Sequence, residues 1–297
     1  MSPFRLAGAL QVELPVIEVL DIGARQEDND CYASLLEQGL AQITGFEPEP
    51  SEFQRLKSRP GPFAYHPDFL GDGNPATLHV THYPGCSSLL DPDPAVIDLF
   101  EGIGASSPGG NFHVLEKVPV QTTRLDDIRE IAPPDYIKID VQGAELTVLK
   151  HGTRTLSSAT VVQTEVEFLP LYKGQPLFGD MQCFFREQGF VLHKLIDISG
   201  RTFRPLRNPE HPYRALSQVL WADAVFVRDF TDFSRWSLDD LLKAALILTD
   251  VYNSYDLALL YLREHDLRTK GDLSKKYASM LSQTEIDRLY FNCKDTI

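Results

Sequence analysis

Cysteine is scarce. Cys31, Cys86, Cys183 and Cys293 lie far apart, with no CxxC spacing and no neighbouring histidine. That argues against a disulfide framework and a zinc site, and reads as reduced thiols in a cytoplasmic protein. Basic residues are also in deficit, 28 against 42 acidic ones, for a net charge of −14. A nucleic-acid or anionic-membrane surface needs clustered Lys and Arg, so neither partner is expected, and a neutral or small polar ligand fits better. No run of about 18 apolar residues exists, and no basic stretch leads into a long apolar one at the N-terminus, so neither a membrane span nor secretion is expected. The chain also lacks the GxGxxG loop that cradles a dinucleotide pyrophosphate, which weighs against an NAD-dependent oxidoreductase or epimerase.

What is present is a globular composition, 43% hydrophobic over 297 residues, enough for one large α/β domain with a small appendage. The chain is organised around Asp135–Gly152, DYIKIDVQGAELTVLKHG. Tyr136 to Val141 alternates apolar and charged residues with β-branched Ile137, Ile139 and Val141, as a strand does; Gly143 breaks it, and Ala144 to Lys150 has helical spacing. Asp140 therefore falls at the carboxyl end of a strand, the edge where open α/β sheets bind ligands. Glu145 falls in the first helical turn, where a carboxylate suits the dipole. An aspartate here can also simply cap the turn.

Upstream, VIEVL at 16–20 runs into Asp21-Ile22-Gly23-Ala24, where Gly23 permits a tight turn and close approach of a ligand. A helix over Asp30 to Gln38 and a second strand, AQITGF at 41–46, follow, ending on Glu47. A carboxylate at that tip can accept two hydrogen bonds from the vicinal hydroxyls of a ribose. Ser51 to Lys57 reads as a helix capped by Ser51, Phe63 to Phe69 as a third strand, and Ala76 to Tyr83 as part of a hairpin after the turn at 71–73. Pro84 to Pro94 reads as a covering loop. Asp98 to Gly110, rich in Gly and Ser, reads as the most mobile segment, a lid or a plain surface loop.

Glu116 to Thr123, Thr160 to Phe168, Phe190 to Ile196 and Val219 to Val227 read as further strands, with Leu177 to Gln188 a helix. Glu165 and Glu167 share one face of their strand. About seven strands alternate with helices, predicting a doubly wound sheet with one antiparallel member near its end. Beyond Arg228, Leu238, Leu241, Leu242, Ala245, Leu248 and Tyr252 follow helical spacing; Leu257, Leu260 and Tyr261 begin another helix; Ser282-x-x-Glu285 reads as a capping box before Ile286 to Phe291. The division expected is a domain over 1–230 and a helical extension over 231–297, whose apolar faces need either that domain or a second subunit, the latter giving a homo-oligomer.

DIGA at 21–24, GFEPEP at 45–50, GCSSLL at 85–90, TTRLDDI at 122–128, the 135–152 stretch, EVEFLPLYKGQPLF at 165–178 and WADAVFVR at 221–228 occur in order. Together they resemble the FkbM family of S-adenosylmethionine-dependent methyltransferases. The resemblance implies a class I methyltransferase (Rossmann-like) fold with the cofactor across the carboxyl ends of the first strands. Asp21, Gly23 and Ala24 would border its methionine part, Glu47 its ribose, Phe69 and Leu70 its adenine, and Asp140 its sulfonium and amino group. Many relatives read DxGAxxG; here Glu27 stands at the last glycine, after Arg25 and Gln26, and Arg25 becomes a candidate for the methionine carboxylate.

The reaction so implied is O-methylation of a sugar, glycan or natural-product hydroxyl by in-line displacement. Candidates for removing the acceptor proton are Asp140, Glu165, Glu167 and His82, in that order; Glu165 and Glu167 can equally be carboxylates pairing with Arg or Lys near a strand end, and His82 an exposed hairpin residue. Asp140 with Glu165 or Glu167 has the oxygen ligands for magnesium, but no spacing demands a metal and none is assigned. Tyr172, Lys173, Ser87 and Ser88 are candidate acceptor contacts. The altered loop at Arg25 to Asp28 and the helical tail keep open a second reading, a methyltransferase-like binding or assembly module without turnover.

Overall fold

The computed structural model describes residues 4–10, 12–25 and 30–283. Among them ten strands form: β1 (Ile17–Ile22), β2 (Ala41–Phe46), β3 (Phe63–His66), β4 (Phe69–Leu70), β5 (Pro75–Thr81), β6 (Val114–Thr123), β7 (Tyr136–Ile139), β8 (Val161–Glu167), β9 (Phe190–Arg201) and β10 (Gln218–Arg228). The helices are α1 (Leu6–Leu10), α2 (Ala33–Glu37), α3 (Pro50–Lys57), α4 (Pro94–Ile97), α5 (Glu145–Lys150), α6 (Thr153–Leu156), α7 (Phe178–Glu187), α8 (Leu238–Asp250), α9 (Tyr255–Thr269) and α10 (Leu273–Gln283). Seven strands form one sheet in the order β3-β2-β1-β7-β8-β10-β9, and β4-β6-β5 form a second. β7 and β8 are parallel, and β10 runs antiparallel to both β8 and β9. The expected α/β sheet with one reversed strand near its end is thus observed.

Two compact units make up the chain, one of 20–25 and 44–229 and the other of 1–19, 26–43 and 230–297. In the first, β8 lies near the middle of the sheet and is buried almost throughout, as its run of Val and Thr requires. Leu20, Ile22, Ile137, Ile139, Val162, Val166, Phe185 and Phe226 share its main core. A second cluster gathers Cys86, Ile97, Phe100, Ile103, Phe112, Leu171 and Tyr172. In the other unit α9 packs on both α8 and α10, and α1 packs on α8 and α10. Asp250, at the end of α8, accepts hydrogen bonds from the Leu6 amide (2.9 Å) and the Gln38 side chain (2.8 Å). The N-terminal segment thereby covers apolar faces that the sequence left without an assigned partner. Glu285 and Ile286 to Phe291 of the expected capping box and last helix lie outside the described residues.

Four elements differ from expectation. The run from Phe63 to Phe69 is not one strand: Pro67 has no amide to donate and restricts His66, so the chain leaves the large sheet, and Phe69 and Leu70 pair with Thr122 and Thr123 of β6. β5 likewise pairs antiparallel with β6 rather than closing a hairpin on β3. The helix at 50–57 is capped by Glu49, whose carboxylate accepts from the Ser51 (3.1 Å) and Glu52 (2.7 Å) amides, because Pro50 occupies the first helical position. β9 continues to Arg201, with β-bulges against β10 around Trp221. No helix among the described residues is long and apolar enough to cross a membrane.

Candidate active site

Three strand ends converge on Gly23. Its amide and that of Ala24 donate to the Phe46 carbonyl at the end of β2 (3.1 and 2.9 Å), and the Asp140 amide donates to Ile22 O at the end of β1 (2.9 Å). Gly23 has φ +81°, and a Cβ there would lie 1.9 Å from the Asp140 carbonyl oxygen. Only glycine satisfies both constraints. Lys138, on β7, fixes the same corner: its Nζ donates to Gly23 O (3.2 Å) and lies 3.5 Å from Asp21 Oδ1, which is buried. The tips of β1, β2 and β7, with Asp21, Glu47 and Asp140, therefore form one edge.

Glu47 is buried and its Oε1 accepts the Glu49 amide (2.8 Å). Burial raises its pKa, opposed by that hydrogen bond and by the charge of Arg25. The Arg25 charge acts on Glu47 and Glu49, which sets Arg25 toward the β2 tip. Glu27 and the rest of 26–29 lie outside the described residues. Phe69 is half-buried on β4, while Leu70 is packed in the main core with Phe46 and Leu125.

At the β7 tip the chain turns through Gln142, whose φ of 57° is left-handed and uncommon for a residue with a side chain. Its amide nitrogen donates both to Asp140 Oδ1 (2.9 Å) and to Glu165 Oε2 (3.1 Å), and the Tyr172 hydroxyl lies 3.3 Å from its Oε1. Glu145 does more than face the dipole of α5. Its Oε1 turns back to accept the Val141 (2.8 Å) and Gly143 (3.1 Å) amides, closing the turn with a carboxylate that is 3% exposed. Asp140, Glu145 and Glu165 each offer an oxygen within 4.8 Å of the others, an arrangement that can hold a metal ion. Glu167 is buried nearby, and Asp223 of β10 stands directly across from Glu165.

Five carboxyls crowded at one edge do not all ionise freely. Burial, then the Asp140 charge, pushes Glu145 up to about 7 and Asp223 up to about 6. The same two causes hold Glu165 well above the usual range. Glu167 is raised too, by burial and the charges of Glu145 and Asp140. Protonation of the folded state therefore persists at a pH where the unfolded chain has released its protons. With the folded pKa above the unfolded value of 4.5 for Glu145, its contribution to stability is complete below about pH 4.5 and is lost as pH rises toward about 7. A loss on the order of 2–4 kcal/mol follows. Thermal unfolding at a series of pH values from about 5 to 8 is expected to show a falling midpoint; a rising one would contradict the clustered carboxyls.

His82 is not part of this cluster. It is exposed just beyond β5, with its amide on His113 O (2.8 Å), and lines a separate cavity with Arg201 and Tyr213. All four expected acceptor contacts are engaged within the fold or in an ion pair. Tyr172 is buried with its hydroxyl on Cys86 O (2.9 Å), the Ser88 hydroxyl donates to Gln142 O (2.6 Å), and Lys173 pairs with Asp91 (2.6 Å). Ser87 is half-buried and accepts the Thr81 amide (3.1 Å). The stretch 84–94 thus braces the turn after β7. Asp98 likewise organises the glycine-rich segment, accepting the Ala105 (2.8 Å) and Ser106 (3.2 Å) amides while Phe100 and Ile103 enter the second core.

The model of the methyltransferase FkbM domain matches residues 21–192. The 2-O-methyltransferase NoeI of Sinorhizobium fredii is 30% identical over 173 residues, covering 55% of this chain and 69% of NoeI. The hexuronic acid methyltransferase AglP of Haloferax volcanii is 27% identical over 150 residues, 49% of this chain and 54% of AglP. Among solved structures, magnesium protoporphyrin IX methyltransferase from Synechocystis, with bound S-adenosylmethionine, overlaps 75% of this chain and 76% of its own at 10% identity and a TM-score of 0.36.

Proposed function

The chain belongs to the FkbM family of S-adenosylmethionine-dependent methyltransferases, and we propose that it methylates a hydroxyl of a sugar or glycan acceptor. The observation that carries the proposal is the convergence of Glu47 and Asp140 on Gly23, with buried carboxyls behind them. When bound, the cofactor supplies a methyl group on a cationic sulfur. The donor set suits such a ligand: Glu47 offers a second carboxylate oxygen to ribose hydroxyls, Gly23 leaves backbone open to close approach, and the acidic edge favours a cation. The relatives whose names specify sugar or 2-O chemistry favour an oxygen acceptor.

Asp140 is the proposed base, accepting the hydroxyl proton at its carboxylate as the oxygen attacks. Gln142 orients that carboxylate through its amide, and Glu165 shares the same amide. Alignment of acceptor and methyl is the main task, and such positioning supplies ~7–11 kcal/mol of barrier lowering in favourable cases. Calorimetric titration of the protein with S-adenosylhomocysteine tests the cofactor half. Glu47→Ala is expected to weaken binding by about 1.5–3 kcal/mol per lost charge-assisted hydrogen bond. Equal affinity in wild type and variant would remove Glu47 from the site, and no binding by the wild type would favour an assembly module.

A further inference from the structure

We infer that the cavity beside the end of β8 receives the anionic group of a carbohydrate acceptor, and that Arg201 holds it; the inference rests on the sugar-methylation reading above. The cavity encloses about 680 Å³ between the 102–111 segment, the residues after β5 and the β9–β10 connection, well within the range of about 300–1,000 Å³ for small-molecule sites. Arg201, Arg204 and His82 line it, with no Asp or Glu among the lining residues. In a protein of net charge −14, such a wall is an exception that calls for a cause.

The two arginines differ. Arg204 is committed to the fold: its terminal nitrogens donate to Asp98 O and Ile103 O (both 2.9 Å), and its Nε faces Glu101 at 3.4 Å. Arg201 has no ion pair among the described residues. One terminal nitrogen donates to Gly200 O (2.7 Å) and Tyr213 O (3.2 Å), and its Nε is buried without a partner. Its guanidinium lies 4.7 Å from the Trp221 ring centre and 5.4 Å from that of Tyr213. Burial lowers its pKa, and the neighbours whose charge acts on it are Tyr213 and Cys86, not a carboxylate. A half-buried cation without a counter-ion is costly, and a guanidinium packed over aromatic rings suits a carboxylate or sulfate.

The location ties this cation to the reaction. Trp221, beneath Arg201, pairs in register with Glu167 at the end of β8. Tyr83 and Tyr213, 47% and 66% exposed, line the same cavity and offer rings on which the apolar face of a sugar can lie. Gly110 keeps one wall thin, since a Cβ there would meet Gly104 O at 2.3 Å. The carboxyl edge and this cavity thus divide the charges, acid for a cationic cofactor and base for an anionic acceptor.

The test is calorimetric titration of the protein, with S-adenosylhomocysteine present, using methyl glucuronide, a glucose sulfate ester and neutral methyl glucoside. Wild type is expected to bind at least one anionic sugar about tenfold or more tighter than the glucoside; which one distinguishes carboxylate from sulfate recognition. Arg201→Gln is expected to erase that preference while S-adenosylhomocysteine affinity stays unchanged, and Arg201→Lys, which keeps the charge without the fork, to retain part of it. Equal binding of all three sugars by wild type, or a preference that survives Arg201→Gln, overturns the inference. If the glutamine variant does not fold, the wild-type comparison and the lysine variant decide. Anion preference without S-adenosylhomocysteine binding would contradict the methyltransferase reading and still support the cavity.

Discussion

Asp140→Asn is expected to lower turnover by about 10²–10⁴-fold, the range for loss of a general base, while leaving the folded protein at least as stable as wild type. The two halves share a cause. Asp140 is half-buried, and its charge helps to raise the pKa of Glu145, Glu165, Glu167 and Asp223. Removing one negative charge relieves the others, whereas the asparagine oxygen can still accept from Gln142 Nε2 as Asp140 Oδ1 does at 2.9 Å. Only the capacity to take a proton is lost. Single-turnover rates with an accepted sugar, beside thermal unfolding of both proteins, check the pair. Turnover within a few-fold of wild type would remove Asp140 as the base, and a clear loss of stability would mean that its charge is compensated in the fold.

Gly23→Ala is expected to cost about 3 kcal/mol or more, because two penalties combine. An L-residue at φ +81° is strained, and its Cβ would overlap the Asp140 carbonyl at 1.9 Å, which is backbone and cannot rotate away. Relief requires β7 to draw back from β1, breaking the hydrogen bond from the Asp140 amide to Ile22 O. Gly39→Ala separates the two penalties: Gly39 has φ +70° but nothing within 4 Å of its Cβ position, so only the conformational cost of about 1–2 kcal/mol applies. Urea unfolding of both variants measures the difference. Equal losses would mean that the corner at Gly23 has slack.

The strand, turn and helix over 135–152 are visible in the sequence because alternation, a glycine and helical spacing follow within one local run. Glu47 and Asp140 follow from them, since strand tips are predictable once strands are. What escapes is set by pairing between distant segments. Asp223 faces Glu165 through the register of β10 on β8, which no local pattern encodes. Gln142 is neutral and sits in a turn, so attention to charged residues passes over it, although its left-handed φ and its two donated bonds make it the link between Asp140 and Glu165. Glu145 reads equally well as a helix-start acid, and only the folded turn shows its carboxylate directed back onto Val141 and Gly143. Pro67 was the available signal for the departure of β4, and the Ser-Gly pair at 199–200 masked the extension of β9 to Arg201.

The most direct single test is to incubate the protein with S-adenosylmethionine isotopically labelled in its methyl group and with oligosaccharides bearing uronic acids, then to identify by NMR the atom that carries the label. A labelled methyl ether on a sugar oxygen is the expected result. Label on nitrogen or carbon, or cofactor that binds yet keeps its methyl group with every acceptor, would contradict O-methylation as the reaction of this acidic edge.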